Sequence, residues 1–158
     1  MTRQQGFTLV EMLVVLAVLA VLLTLALPDT GSAVVRAQIQ DSLKLIENYR
    51  PLVSARYASS GTFPRDNAAA GIPPADKIIG NFVTEVVLDN GAFHLRLGNK
   101  IRPALAGRWL SVRPIYVEDS LQSPVSWICG NDSIPAGMRA AGSNQTDLAA
   151  KYLPLSCR

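Results

Sequence analysis

The stretch that decides the fold is residues 7–27, FTLVEMLVVLAVLAVLLTLAL, which holds 21 residues and a single charge, at Glu11. At a rise of about 1.5 Å per residue, a helix of this length matches the roughly 30 Å hydrocarbon core of a bilayer. The run is longer than the apolar region of an ordinary secretory signal peptide, and PDTG at residues 28–31 is no small-residue cleavage site. We therefore expect a membrane-spanning helix over residues 7–27.

Arg3 and the free amino terminus precede this run, so the positive-inside rule places the amino terminus in the cytoplasm and residues 28–158 outside. Glu11 is the unusual residue, because a carboxylate near a bilayer edge costs up to roughly 2.5–3.5 kcal/mol on insertion scales. It either snorkels to the interface, one turn into the run, or has a specific pairing role. The residues alone leave both interpretations open.

Residues 6–11, GFTLVE, resemble the processing motif of the type IV pilin family: a basic leader, a glycine, a phenylalanine and a glutamate at the fifth mature position. The resemblance implies that residues 1–6 are a leader, that a membrane prepilin peptidase cuts between Gly6 and Phe7, and that the new amino group of Phe7 is methylated. Glycine suits the cut because it adds no side-chain bulk at the backbone that the peptidase must reach. Glu11 is then expected to pair with the amino terminus of a neighbouring subunit, so that assembly buries a neutralised pair.

Pro28 marks the end of the apolar run, because proline lacks an N–H and clashes with the preceding turn. We expect the first helix to kink or end there, and filaments of the pilin family use a proline at this position to unwind a stretch of helix on assembly. A second, amphipathic helix is predicted from Ser32, since apolar residues recur every three to four positions: Val35, Ile39, Leu43, Ile46, Tyr49, Val53 and Tyr57. Pro51 predicts a bend in it.

A loop rich in Gly, Pro, Ser and Asn follows Tyr57, over residues 59–80, and resembles the region between helix and sheet in pilins. Apolar stretches at residues 82–88, 92–97, 109–117 and 125–129 then predict an antiparallel sheet of about four strands packed on the second helix. Asn90-Gly91, between the first two stretches, is a strong hairpin signal. The expected fold class is therefore α+β, a type IV pilin fold with a long N-terminal helix.

Alternation within the second stretch assigns its side chains to the two faces of the sheet. Phe93, Leu95 and Leu97 are expected on the inner face, with His94 and Arg96 directed outward. Pro114 lies inside the third stretch, and because it cannot donate a ladder hydrogen bond it predicts an edge position or a bulge.

The chain has two cysteines, Cys129 and Cys157, and one histidine, so neither a zinc site nor a CxxC redox motif can be assembled. In an exported domain such a pair indicates one disulfide, and closing a loop of this size contributes roughly 3–4 kcal/mol by the chain-entropy estimate. WICG at residues 127–130 and KYLPLSCR at residues 151–158 resemble the disulfide-bounded loop of type IVa pilins. The expected organisation is a leader at residues 1–6, a transmembrane and polymerisation helix at 7–27 and a periplasmic domain at 28–158.

Catalytic residues, cofactors and metal ions are not expected in this chain. His94 is a lone histidine with no nucleophile placed beside it by any motif, and no glycine loop that cradles phosphate is present in the sequence. It is interpreted as a solvated strand residue. A membrane-anchored thiol enzyme, the remaining enzymatic alternative, would require reactive cysteines in place of a closed disulfide.

A group of basic residues lies in one stretch that has no acid between Asp89 and Glu118: Arg96, Lys100, Arg102, Arg108 and Arg113. With Trp109 stacking on bases, the group suggests a minor or competence pilin that binds DNA. The plainer interpretation is that arginines on the outer face of a sheet provide solubility or meet acids of neighbouring subunits. The net charge of +3 is low for a dedicated nucleic-acid binder.

The family resemblance implies a structural subunit of a type IV pilus. Its precursor would lie in the inner membrane and be polymerised by the pilus assembly platform into an extracellular homo-oligomeric filament for adhesion, twitching motility or DNA uptake. A pseudopilin of a type II secretion system shares the amino terminus. Members of that group often lack the terminal disulfide, and some use a calcium site, for which this sequence has no matching acidic cluster.

Overall fold

The computed structural model describes residues 6–26 and 30–158. The leader residues before Gly6, with Arg3 among them, and the predicted kink at Pro28 lie outside the described residues. The chain divides into two units, one ending at Gly31 and the other spanning Ser32–Arg158. The second unit holds the hydrophobic core and the sheet.

The first unit contains one helix, α1 (Leu9–Ala26), formed by an almost uninterrupted run of Leu, Val and Ala. Its large apolar side chains between Leu9 and Leu23 are 49–76% exposed, so the helix is apolar on every side and none of these side chains is buried. Among residues 6–26 and 30–158, no helix combines the length and the hydropathy needed to cross a membrane.

The predicted amphipathic helix is present as two helices, α2 (Thr30–Lys44) and α3 (Arg50–Ser60). The bend predicted at Pro51 is an interruption of the helix just before this residue, at residues 45–49. The backbone there forms the tighter i→i+3 hydrogen bonds, such as the one from Ile46 N–H to Leu43 C=O at 3.3 Å. Pro51 itself lies in the first turn of α3, where a helix needs no N–H donor. The predicted inner stripe is buried at these positions: Val35, Ile39, Ile46, Val53 and Tyr57.

The sheet is antiparallel and has five strands: β1 (Val83–Asp89), β2 (Ala92–Leu97), β3 (Trp109–Tyr116), β4 (Ser126–Cys129) and β5 (Arg139–Ala140). Its order is β1-β2-β3-β4, and β5 also pairs with β3. The predicted α+β class is confirmed, and the four predicted strands differ from the observed ones by at most one residue at either end. The fifth strand was not predicted because two residues are too few to show an alternating pattern.

The β1–β2 hairpin turns at Asn90-Gly91, as predicted. These residues have positive φ, 48° and 86°, which the two-residue turn requires and which Asn and Gly adopt at low cost. Asp89 and Ala92 pair on either side of the turn. A Cβ at Gly91 would also lie 2.8 Å from the side chain of Phe63, so glycine is needed here for space as well as for backbone conformation.

Both faces of the sheet are covered. Phe93, Leu95 and Leu97 are fully buried in the core with residues of α2 and α3, and Arg96 is exposed, as predicted. His94 shares the outer face with Arg96, but its predicted solvation is wrong, because its side chain is only 1% exposed. Residues 141–147 of the C-terminal loop lie over this face, and alternation within a strand cannot reveal a cover that a distant segment supplies.

The edge position or bulge predicted for Pro114 is also wrong. β3 lies inside the sheet, and Pro114 pairs in regular register with Trp127 of β4. On the other side of β3 the partner changes from β2, along residues 109–112, to β5, along residues 115–116. Ala141 donates its N–H to Pro114 C=O at 3.0 Å, and Pro114 has no N–H with which to return that bond. The proline is therefore tolerated at the point where one partner strand gives way to another.

The predicted connecting loop runs from α3 to β1 and contains a short 3-10 turn, Ala75–Lys77. Asn67 of this loop covers the free edge of β1: its Oδ1 accepts Leu88 N–H at 2.7 Å and its Nδ2 donates to Val86 C=O at 3.0 Å. The same Nδ2 donates to Pro73 C=O at 2.9 Å, which ties the loop to the strand. The carboxamide thereby satisfies edge groups that would otherwise offer another strand a place to pair.

Candidate functional site

The predicted processing residues lie at the start of the described chain. Gly6 and Phe7 are both exposed, and no atom of the described residues lies within 4 Å of the position that a Cβ on Gly6 would take. The side chain of Phe7 is 77% exposed. The peptide bond between these residues is therefore accessible to a large partner such as a peptidase.

Glu11 lies in the first turn of α1 and caps the helix together with Thr8. Thr8 donates both its N–H and its hydroxyl to Glu11 Oε2, each at 3.1 Å, and Glu11 N–H donates to Thr8 Oγ1 at 3.3 Å. This reciprocal pair is a capping box, which supplies partners that the first helical N–H groups lack. In the sequence, the spacing T-x-x-E at residues 8–11 is the pattern that indicates a capping box. The charge of Glu11 alone does not indicate one.

The capping box leaves part of the Glu11 carboxylate unused. Glu11 Oε2 accepts both hydrogen bonds that Thr8 donates, and Glu11 Oε1 has no hydrogen-bond partner among the described residues. The carboxylate is thus fixed in direction while one oxygen stays available to a donor from outside the chain. Such an oxygen can accept a charge-assisted hydrogen bond from an amino group.

Cys129 and Cys157 form the predicted disulfide, with 4.4 Å between their Cα atoms. Gly130, next to it, has a φ of +59°, and a Cβ there would lie 2.5 Å from Cys157 C=O. Gly130 donates its N–H to Ser111 C=O at 2.8 Å, and Asn131 donates its N–H to Cys157 C=O at 3.0 Å. The glycine of WICG is therefore needed for the two ends of the loop to meet.

The loop closed by this disulfide crosses the outer face of the sheet. Ile115 pairs with β4 on one side and with β5 on the other, so β5 lies on the β2 side of β3. Further along the loop, Asp147 lies on the β4 side: it donates its N–H to Trp109 C=O at 3.2 Å and accepts Trp109 N–H at 2.6 Å through Oδ1. Residues 141–146 therefore pass over β3 between these two anchors.

His94 and Ser111 lie under this crossing. His94 Nδ1 is 2.9 Å from Ser111 Oγ, which also accepts Gln145 N–H at 2.8 Å. Ser111 N–H in turn donates to Thr146 Oγ1 at 3.0 Å. Burial lowers the pKa of His94, against a smaller opposite effect of Asp89, so the imidazole is held in its neutral form.

The hydroxyl beside the imidazole was not predicted by any motif, and the two groups resemble a nucleophile and its base. Ser111 is fully buried and His94 is 1% exposed, so a substrate has no access to either. Their partners are groups of the loop, which makes the pair an anchor for it. In the parts of the chain that the structure describes, no three metal-ligating side chains come together.

The basic residues predicted as a DNA contact differ in their surroundings. Arg96 pairs with Glu85 at 3.1 Å, and Arg108 pairs with Asp147 at 3.2 Å. The Arg96 guanidinium also lies over the ring of Trp109, 5.7 Å from its centroid, so this ring is already covered by its own chain. The rest of the set comprises two exposed residues on the β2–β3 connection and one half-buried strand residue: Lys100, Arg102 and Arg113.

The sequence of this chain is similar to those of known proteins. A model of the pilin family of bacterial filament proteins matches residues 35–158, and a model of the prokaryotic N-terminal methylation motif matches residues 1–27. The chain belongs to the pilin family. The type IV major pilin protein PilE1 of Neisseria gonorrhoeae is 32% identical over 164 residues, covering 99% of this chain and 88% of that protein. A fimbrial protein of Neisseria meningitidis serogroup B and the fimbrial protein EcpC of Eikenella corrodens are 30% and 31% identical, over 99% and 98% of this chain and 95% and 91% of their own lengths.

As a pilin, the chain is a structural subunit of a pilus, and pilins are not enzymes. The methylation motif implies processing by a prepilin peptidase and assembly into a filament. Its relatives are major pilins and fimbrial proteins, so the DNA-binding minor pilin and the type II secretion pseudopilin are not favoured.

Proposed function

We propose that this pilin is the main polymerising subunit of a type IV pilus, held in the inner membrane as a single-pass precursor before it enters an extracellular filament. Its leader, residues 1–6, is removed between Gly6 and Phe7, and Phe7 is methylated. Residues 7–27 form the membrane and polymerisation helix, Pro28 marks where that helix unwinds, and residues 28–158 form the periplasmic domain. The match of residues 1–27 to the methylation motif supports this scheme.

The observation that carries the proposal is α1, whose large apolar side chains are exposed on every side, with Glu11 fixed at one end. A helix that is apolar all round is stable where lipid or other apolar groups surround it. Lipid does so in the membrane, and α1 of neighbouring copies does so in a filament. A subunit can therefore pass from one environment to the other without exposing its apolar surface to water.

Glu11 directs that transfer. Cleavage after Gly6 creates a positive amino group on Phe7, and the free Oε1 of Glu11 in a neighbouring copy accepts a hydrogen bond from it. A buried pair costs far less free energy than a lone buried carboxylate, so copies that dock out of register are disfavoured. The pilus assembly platform would carry out the transfer, and the filament would serve in adhesion, twitching motility or DNA uptake.

Glu11→Ala in the full-length chain tests the proposal. We expect cleavage after Gly6 to continue, seen as the mature mass, while filaments disappear from electron micrographs and from the sheared cell-surface fraction. Glu47→Ala removes an exposed carboxylate of the second unit and is the matched control, which should leave filaments intact. Normal filaments from Glu11→Ala would refute the pairing, and filaments persisting in cells that lack this chain would refute its role as the main subunit.

A further inference from the structure

The second unit has an open depression of about 480 Å³ beside the start of α2. Its lining includes four apolar residues, Ala33 and Ala37 of α2 with Pro154 and Leu155 of the C-terminal segment, and the polar residues Arg36, Gln40 and Ser156. Leu155 is 83% exposed, more than any other large apolar side chain that the structure describes. We call this surface, made by these four apolar residues, the α2 shelf.

Leu155 is held outward by a fixed turn. It begins the 3-10 turn Leu155–Cys157, which ends at the disulfide, and Cys157 N–H donates to Pro154 C=O at 3.0 Å. Beyond the turn, Arg158 Nε donates to Leu153 C=O at 3.2 Å. These bonds hold the backbone of the turn, and the side chain of Leu155 points away from the core. A partly apolar depression with an exposed leucine at its edge indicates a contact surface.

The basic residue Arg36 lines the depression, and a second basic residue, Lys151, is in contact with Arg36. Arg36 Nη1 donates to Lys151 C=O at 3.1 Å, which ties α2 to the C-terminal segment, and Lys151 Nζ lies 4.9 Å from the centroid of the Tyr152 ring. Within the described part of the chain, neither Arg36 nor Lys151 forms an ion pair. A partner that fits the shelf should therefore present an apolar side chain with a carboxylate beside it.

The loop that follows β3, residues 117–123, has these properties. Leu121 is 47% exposed and lies next to Gly61 at the end of α3, with its methyl carbons 3.9 Å from the position that a Cβ on this glycine would take. Asp119 is exposed and forms no ion pair with any described residue, whereas Glu118 is engaged by Arg139 at 2.8 Å. The loop thus presents an apolar side chain beside an unpaired carboxylate.

Other exposed aliphatic side chains match the shelf less well. Ile134 follows Asp132, whose carboxylate already accepts Ser133 N–H at 2.8 Å. Ile79 follows the ion pair of Asp76 and Lys77, at 2.9 Å, which leaves no net charge beside it. The loop at residues 117–123 is therefore the better complement to the α2 shelf.

We propose that Leu121 and Asp119 of one copy dock on the α2 shelf of a second copy, with Leu121 against Leu155 and Asp119 facing Lys151. This inference rests on the proposed function, since it places the contact between neighbouring subunits of the pilus. The two surfaces lie on different parts of the same chain, and such a heterologous contact builds an open filament when the rotation between copies does not close a ring. Exposed charge pairs are weak, so the contact fixes the orientation of neighbouring subunits while α1 provides most of the cohesion.

Photo-cross-linking in assembled filaments tests the contact. A photoreactive amino acid replaces Lys151 in the full-length chain, the filaments are irradiated and sheared, and cross-linked peptides are located by mass spectrometry. We expect a dimer whose cross-link falls within residues 117–123 of the second copy. The same amino acid at Ile134, in the same disulfide loop, is the matched control and should not reach that segment.

The outcomes separate the docking from the proposed function. Filaments that form but give no cross-link to residues 117–123, or give one to another segment, would overturn the docking alone. Absence of filaments from the unmodified chain would overturn the proposed function. If the chain altered at Lys151 does not assemble, the photoreactive amino acid at Leu121 makes the reciprocal test, with a cross-link expected at residues 151–155. Loss of assembly at both positions, with the control assembling, would contradict the docking, because a contact that only orients subunits should not decide whether they polymerise.

Discussion

The apolar side chains of α1 and those of the unit that begins at Ser32 differ in their exposure to solvent. In α1 the large apolar side chains are about half exposed or more, whereas the core of the second unit is closed to solvent at these positions: Ile39, Ile46, Val53, Phe93, Leu95, Leu97 and Leu110. The second unit therefore has a closed core of its own, whereas under the proposed function α1 would obtain its burial from outside the chain. Substitutions in α1 should affect assembly, and substitutions in the second unit should affect folding.

The size of the hydrophobic effect explains why this division suits a filament subunit. Fully burying a Val or Leu side chain contributes about 1.5–3 kcal/mol. Covering several such residues of α1 with those of neighbouring copies therefore gives a strong drive to association. The core of the second unit is already closed to solvent, so that unit needs no such cover in order to fold.

Leu16→Lys tests whether the apolar surface of α1 is needed for assembly, and we expect the largest effect from this substitution. Leu16 lies near the middle of the helix and is 62% exposed. A lysine at the centre of a membrane helix costs about 3 kcal/mol on insertion scales, and every copy in a filament would repeat that cost. Filaments should be lost entirely from electron micrographs. The melting temperature of the second unit, followed by the fluorescence of Trp109 and Trp127, should not change.

The control for this variant is Leu16→Met, which keeps the apolar character and nearly the volume and should preserve filaments. Abundant filaments from Leu16→Lys would show that this position of α1 is not packed against lipid or other helices. A lowered melting temperature of the second unit would contradict the independence of the two regions.

Removing the disulfide with the double substitution Cys129→Ser and Cys157→Ser tests the second unit. The bond joins residues with a sequence separation of 28, and the chain-entropy estimate for such a loop is roughly 3–4 kcal/mol. Urea unfolding of residues 32–158, which hold their own core, should show that loss in the free energy of unfolding. Ser156→Ala, at an exposed neighbour, is the control. A change below about 1 kcal/mol would mean that the contacts with β3, not the bond, hold the loop.

Local patterns predicted the parts of the second unit that depend on neighbouring residues. Alternation placed Phe93 on the inner face, Asn90-Gly91 gave the hairpin, and helical periodicity gave the stripe that is buried from Val35 onward. In each case the geometry of one element decides where the side chain points. The capping box of Thr8 and Glu11 is equally local. The spacing of these two residues predicts it, whereas an interpretation of Glu11 by its charge alone does not.

Features built by distant segments could not be predicted in this way. His94 is buried because Gln145 and Thr146 arrive over its face from the disulfide loop. Pro114 is accommodated because β5 takes over from β2 as the partner of β3. Asn67 covers the edge of β1 from a loop whose composition predicts only irregular structure. Each of these depends on tertiary contacts for which one strand or loop carries no local signal.

Asn67→Ala tests the role of the Asn67 carboxamide at the edge of β1. We expect a smaller effect from it than from removal of the disulfide. The substitution leaves Leu88 N–H and Val86 C=O without the amide that satisfies them, at a cost of about 1–3 kcal/mol in the free energy of unfolding. It also uncovers the edge of β1, so the purified second unit should associate at high concentration in light scattering. Asn81→Ala, at an exposed position of the same loop, should change neither quantity. An unchanged unfolding free energy for Asn67→Ala would contradict the role of its carboxamide.

The smallest effect is expected from acid, through His94. Burial lowers the pKa of this imidazole in the folded protein, whereas a histidine in an unfolded chain has a pKa of about 6.5. Above that value the imidazole is neutral in both states, and His94 adds no pH dependence. Below it the unfolded state binds a proton that the folded state does not, so the free energy of unfolding falls as the pH falls.

His94→Gln removes this titration, and urea unfolding of both proteins between about pH 7 and about pH 5 isolates its contribution. The chain has a single histidine, so NMR of its ring protons also reports the pKa without overlap. We expect a midpoint below about 6.5 and a steeper loss of stability with acid in the unmodified protein than in the variant. Equal slopes would show that the loop does not close over a neutral imidazole. The loop would then be anchored by the hydrogen bonds that join Ser111 with Gln145 and Thr146, which the substitution leaves in place.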